Sequence, residues 1–308
     1  MKKIIVKLLA CFIPNKSKRK AFKNRYIAKN TSSQYNIVAV GDMYLSDTIK
    51  ALCIKEDIVS KKNSVKILVF GSSHAQMSFV DGKDSLNFGN GSLDLYYQWK
   101  LYEKFHSFFP NLQNIVIFYD VFSGGNDMQK GPFYKRTALY KLIFDIPYKN
   151  KKYAVEQGVI DFEKELELKY CPIAKNLLES IDHSYPIICS PSADFTQEQL
   201  QTFAKGQIKL NKKDNGMHKY LNNILNLAEK LHHNVLIVVA PYQSNFRQMF
   251  PEKSILFKNL NSIKKERSFK ILNLWDDLDF VVDDFRNPDH LNRKGAVKLT
   301  KKIRDVLK

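Results

Sequence analysis

A serine hydroxyl becomes a useful nucleophile only when a nearby base takes its proton. Two residues of this chain could form such a pair across a long stretch of sequence, Ser73 and His290. Ser73 lies in Gly71-Ser72-Ser73-His74, directly after the apolar run VKILVF and at the expected start of a helix. His290 lies in Asn287-Pro288-Asp289-His290-Leu291-Asn292, just before the last helical pattern. Taken singly, each has a plain structural use, as a turn serine and a surface-loop histidine. Taken together they could supply a nucleophile and the base that takes its proton. His74 is a weaker candidate for the base, because its side chain must point differently from that of Ser73, and it is expected to serve a local structural or substrate-side role.

For these residues to meet, the chain must bring distant segments to one edge. Segments 36–41 (NIVAVG), 65–70 (VKILVF), 114–121 (NIVIFYDV), 235–240 (VLIVVA) and 269–274 (FKILNL) read as buried strands, and a short stretch from Ser85 to Phe88 runs into Gly89. Helical patterns lie between them, at 93–108 and 217–232. A final helix is expected from Arg293, with Asn292 as N-cap and Ala296, Leu299, Ile303 and Val306 as its apolar face. Apolar strands separated by helices predict a three-layer α/β/α fold with a central, mostly parallel sheet. Residues 31–308 are expected to form one such domain, with 130–215 as a helical insertion. In parallel sheets the working residues lie beyond the carboxyl ends of the strands. Ser73, Gly89, Asn126 and His290 all fall there.

With these residues in view, the chain resembles the SGNH hydrolases, the GDSL esterase/lipase superfamily, and is nearest to members acting in bacterial polysaccharide O-acetylation. Gly71-Ser72-Ser73 stands where that family has Gly-Asp-Ser, with Ser in the place of Asp. Asn87-Phe88-Gly89 and Gly124-Gly125-Asn126-Asp127 match its second and third blocks, and His290-Leu291-Asn292 with Gly295-Ala296 matches its fifth. The resemblance covers 65–127 and 217–308. It implies Ser73 as nucleophile, His290 as base, and an oxyanion hole from the N–H groups of Ser73 and Gly89 and the side chain of Asn126. It implies no metal and no redox cofactor. The family's Asp-x-x-His aspartate falls at Asn287. The residue orienting His290 is therefore Asn287 itself, Asp289 or Asp284, or the site runs as a Ser–His dyad. Six aspartates lie between 276 and 289, a run that also reads as a solvated acidic loop. Gly41-Asp42 is followed by Met43, so no nucleophile stands there.

Composition narrows the class. The chain has 308 residues, 44% apolar and 26% charged, as in a soluble globular protein. The four cysteines, Cys11, Cys53, Cys171 and Cys189, have no metal-binding spacing and read as reduced thiols. The net charge of +18 is uneven: residues 1–30 hold ten Lys/Arg and no acid, and the remainder carries only +8. With no basic stripe interleaved with aromatics, nucleic acid is not expected as a partner.

Residues 1–13 (MKKIIVKLLACFI) place Ile4, Ile5, Leu8, Leu9 and Phe12 at helical spacing, and a polybasic run follows. The apolar stretch is too short to span a bilayer, which takes about 20 residues. Residues 1–30 therefore read as a basic amphipathic arm for an anionic membrane surface, which would place the protein in the cytoplasm on the inner membrane face. The rivals are a plain solvated tail and export with a lipid anchor at Cys11. The expected function is serine-dependent ester hydrolysis or O-acyl transfer, as an O-acetyl esterase or O-acetyltransferase. The partner is a carbohydrate ester or acyl donor on a bacterial surface polysaccharide or its precursor. The other reading is an inactive scaffold that binds glycan or assists polysaccharide assembly.

Overall fold

The computed structural model describes residues 38–39, 41–178, 187–188, 195–213 and 216–308. The basic arm at 1–30 and parts of the segment 130–215 lie outside them. Five strands form one parallel sheet: β1 (Ile67–Phe70), β2 (Ser85–Asn87), β3 (Asn114–Phe118), β4 (Asn234–Val239) and β5 (Lys270–Asn273), in the order β2-β1-β3-β4-β5. Of the segment 36–41, the described strand residues Val38–Ala39 pair in parallel with Ile187–Ile188 as a separate two-stranded piece rather than with one of the five strands.

Alternation along each strand builds the layers. Leu68 and Phe70 of β1, Ile115 and Ile117 of β3, and Ile237 and Val239 of β4 enter one core cluster. That cluster is shared with α1 (Met43–Ser60), α3 (Leu95–Phe105) and α6 (His218–Lys230). The intervening residues, Ile67, Val69, Val116, Phe118, Leu236 and Val238, enter a second cluster with Leu299 and Ile303 of α7 (Arg293–Leu307). The fold is thus a three-layer α/β/α arrangement. The runs look uniformly apolar because both faces of the sheet are covered. Residues 136–178 and 197–211 are largely helical, including α4 (Arg136–Phe144) and α5 (Gln197–Asn211).

The strand order reverses at β1. The chain leaves it toward β2 on one side and later returns to β3 on the other, so the loops after β1 and β3 diverge and open a crevice. A short antiparallel pair, Phe285–Asn287 with His290–Leu291, precedes α7. Asn292 caps α7 by accepting the Gly295 N–H at 3.1 Å. This helix packs against α2 (Ser73–Ser78) and so brings the carboxyl-terminal hairpin over the crevice.

Candidate active site

The turn that presents Ser73 begins at Gly71, whose φ of 151° is a conformation side chains rarely adopt. A Cβ there would also lie 2.6 Å from Phe118 Cβ. Ser72 caps α2, its Oγ accepting the His74 N–H at 3.3 Å and donating to Asp120 Oδ2. Successive helical residues differ by about 100° in direction. Ser73 therefore faces the crevice, partly exposed, while His74 is fully buried.

Ser73 Oγ lies 2.8 Å from His290 Nε2, although 217 residues separate them. On the far side of the ring, Nδ1 lies 2.9 Å from Asp289 Oδ1 and 3.0 Å from Asn287 Oδ1. Asn287 Oδ1 also accepts the His290 N–H at 2.8 Å, so it shapes the turn as well as facing the ring. Asp284 is not in this group. Its buried carboxylate pairs with Lys298 at 2.5 Å and accepts the Val281 N–H.

Asp289 is almost fully buried. Its Oδ2 accepts from Gln207 Nε2 at 3.2 Å, and Tyr242 OH fixes that amide by donating to Gln207 Oε1 at 3.0 Å. Burial alone would raise the Asp289 pKa, but His290 and His74 outweigh it and hold the carboxyl well below its ordinary range. His74 Nδ1 lies 2.8 Å from Asp120 Oδ1, and its Nε2 lies 3.6 Å from Asp289 Oδ2, at ion-pair rather than hydrogen-bond distance. Burial works against the charged imidazole, yet Asp120 and Asp289 overcome it and raise the His74 pKa to about 10.

The oxyanion expectation for Gly89 needs correction. Its N–H donates to Asn87 Oδ1 at 2.8 Å, within its own turn. A Cβ at Gly89 would stand 2.6 Å from both Ala75 Cβ and Gln76 N, so this glycine lets the turn after β2 pack against α2. The residues of that turn that line the crevice are Gly91 and Ser92. Asn126 does line it, and its Nδ2 donates to the Ser92 carbonyl at 3.0 Å.

The crevice holds a cavity of about 960 Å³ with Ser73 and His290 in its wall. Phe133, Phe195 and Phe203 stand partly exposed among its lining, beside amide and hydroxyl side chains such as Gln76, Thr196 and Gln199. Arg136 closes one side: its Nε donates to Asp47 Oδ2 at 2.6 Å and its Nη1 to the Gly91 carbonyl at 2.9 Å.

Asp120, Gln207 and Tyr242 are not among the residues that the sequence singles out. The signal for Asp120 is an acid two residues beyond the apolar run Ile115–Phe118, at the carboxyl edge of the sheet. The links from Gln207 and Tyr242 to Asp289 gave no local signal.

No family model matches the chain, and no curated protein matches it. A solved structure from Streptococcus pneumonia, whose name refers to platelet activating factor, superposes with a TM-score of 0.40 at 10% identity, over 85% of this chain and 92% of that one.

Proposed function

We propose that this protein is a serine-dependent esterase or O-acyltransferase of the SGNH type, acting on O-acetyl groups of a bacterial surface polysaccharide or its precursor. The observation that supports this most is the line Ser73 Oγ, His290 Nε2, His290 Nδ1, Asp289 Oδ1, with contacts of 2.8 and 2.9 Å. Ser73 Oγ attacks the ester carbonyl while its proton passes to His290 Nε2. The tetrahedral intermediate collapses, the carbon–oxygen bond to the sugar breaks, and His290 gives its proton to that oxygen. Water, or a hydroxyl of a second sugar, then attacks the acyl-enzyme with His290 again as base; the bond from the acyl carbon to Ser73 Oγ breaks, and His290 returns the proton to Ser73 Oγ.

The oxyanion takes the Ser73 N–H and a second backbone donor, which we assign to Ser92 in place of Gly89. An amide nitrogen carries two hydrogens, so Asn126 can hold the Ser92 carbonyl with one and meet the oxyanion with the other. Each such donor contributes about 2.7–4 kcal/mol to transition-state stabilisation. Aromatic faces beside amides and hydroxyls suit the mixed apolar and polar surface of a sugar, and the cavity is far larger than an acetyl group needs. Residues 1–30 would hold the enzyme on an anionic membrane surface, near a lipid-linked glycan.

The test is labelling with a fluorophosphonate together with acetate release from an O-acetylated glycan. The expected result is one label on Ser73, lost with acetate release in Ser73→Ala and in His290→Ala. An intact protein that neither labels nor releases acetate overturns the reading and leaves an inactive glycan-binding scaffold.

A further inference from the structure

The Ser73–His290–Asp289 line leaves His74 unused, a fully buried imidazole immediately beside the nucleophile. Its ring lies nearly parallel to that of His290, with centroids 4.8 Å apart and planes 13° apart. It also stacks with Tyr242 at 5.2 Å. Both nitrogens face carboxylates, Nδ1 that of Asp120 and Nε2 that of Asp289. Asp289 therefore has an imidazole beside each oxygen, His290 at Oδ1 and His74 at Oδ2.

We propose that His74 is a positioning residue, which bridges Asp120 and Asp289 and so holds Asp289 in register against His290. The inference rests on the ester chemistry assigned above to Ser73 and His290.

Asp120 and Asp289 are both nearly fully buried, and two unpaired carboxylates there would each carry a heavy desolvation penalty. With His74 charged between them, the three groups sum to a single negative charge. That is the charge one aspartate would supply to a rising imidazolium at His290. The groups facing His74 are Ser72 and Asp120 from the turns after β1 and β3, Tyr242 after β4, and Asp289 and His290 from the hairpin. Among them only the two aspartates bring negative charge, since burial holds the Tyr242 phenol far above its ordinary pKa. The bridge also gives a reason for the departure at Asn287: the hairpin turns so that the buried acid comes from position 289, beside His74.

In His74→Gln, Asp289 is no longer held against His290, and kcat for p-nitrophenyl acetate is expected to fall about tenfold or more with KM little changed. A residue that only filled space would lower the denaturant midpoint without this split between kcat and KM. The second measurement is nitrogen NMR of the wild-type protein labelled in histidine. His74 should keep protons on both nitrogens at pH 8, consistent with its pKa of about 10. Should His74→Gln fail to fold, Asp120→Asn cuts the bridge from the other end and should lower the His74 titration by about one unit or more. A His74 that titrates near its ordinary 6.5 overturns the bridge, as does a His74→Gln enzyme with the wild-type kcat. Hydrolysis that survives Ser73→Ala overturns instead the ester reading beneath it, while the NMR titration still decides where the His74 proton sits.

Discussion

Asp289 and His290 are consecutive in the chain, yet their side chains meet, with Asp289 Oδ1 2.9 Å from His290 Nδ1. Neighbours on a regular strand point to opposite faces. The tight turn between the two short hairpin strands removes that constraint, and Asn287 Oδ1 fixes it by accepting from the backbone N–H groups of Asp289 and His290. One side chain thus shapes the turn and the next supplies the charge.

For the proposed esterase this division of labour predicts unequal losses. Asp289→Asn keeps the shape but removes the negative charge that stabilises imidazolium. It should lower the esterase rate on the order of 10²–10⁴-fold. Asn287→Ala loses backbone hydrogen bonds and one of two acceptors at Nδ1, and should cost about tenfold or less, since neutral hydrogen bonds contribute about 1 kcal/mol. Rates on p-nitrophenyl acetate check both, and a larger loss for Asn287→Ala would reverse the assignment.

Stability should depend on pH through His74. Its folded pKa of about 10 lies above the ordinary 6.5, because Asp120 and Asp289 outweigh burial. A raised pKa contributes stability that is fully present below the unfolded value and is lost as pH rises through the folded one. The melting-temperature advantage of wild type over His74→Gln should therefore shrink between pH 6.5 and 10. The opposite sign applies to Asp289, whose lowered pKa gives stability that is lost as pH falls below the ordinary 3.8. A flat difference across the alkaline range would contradict the His74 assignment.

Gly89 and Arg136 separate packing from chemistry. Gly89→Ala puts a methyl against Ala75 and the Gln76 nitrogen, and overpacking of this kind costs about 1–3 kcal/mol. Activity should fall together with denaturant midpoint, since the helix bearing Ser73 is displaced.

Arg136 and Asp47 form a buried pair that also holds the Gly91 carbonyl. Arg136→Met strands a buried carboxylate, for which about 3–5 kcal/mol is expected. The double variant Arg136→Met/Asp47→Leu should recover most of that stability without recovering activity, because the turn through Gly91 and Ser92 is no longer tied down. Chemical denaturation alongside esterase rates distinguishes the two effects.

The legible parts of the molecule were those governed by local pattern. VKILVF and VLIVVA announce buried strands because water is excluded from both of their faces, and Asn292 announces a helix start because its side chain can accept a backbone N–H. NIVAVG shows the limit of that logic. It is as apolar as the others, but which strand it pairs with depends on distant partners. The site divides in the same way. Ser73 and His290 could be chosen because each sits at a strand-to-helix boundary. The inward turn of His74, the burial of Asp120 and the reach of Gln207 to Asp289 are products of packing between loops far apart in sequence. The Gly89 expectation failed because position in a motif does not say which donor the turn has already satisfied.

The basic arm makes a prediction independent of the site. Ten Lys/Arg without one acid lie in residues 1–30, three before or within a short apolar stripe and seven after it. Each basic residue near an anionic surface contributes about 1 kcal/mol, and the apolar stripe adds burial in the interface. The Debye length falls from about 10 Å at 0.1 M salt to about 3 Å at 1 M, so an attachment led by charge should weaken steeply with salt. The full chain should sediment with phosphatidylglycerol vesicles at low salt and not with phosphatidylcholine vesicles. A chain beginning at residue 31 should stay in the supernatant with its esterase rate on a soluble ester unchanged. Sedimentation that survives the deletion would move the membrane contact to the folded domain, where no helix among the described residues is long and apolar enough to cross a bilayer.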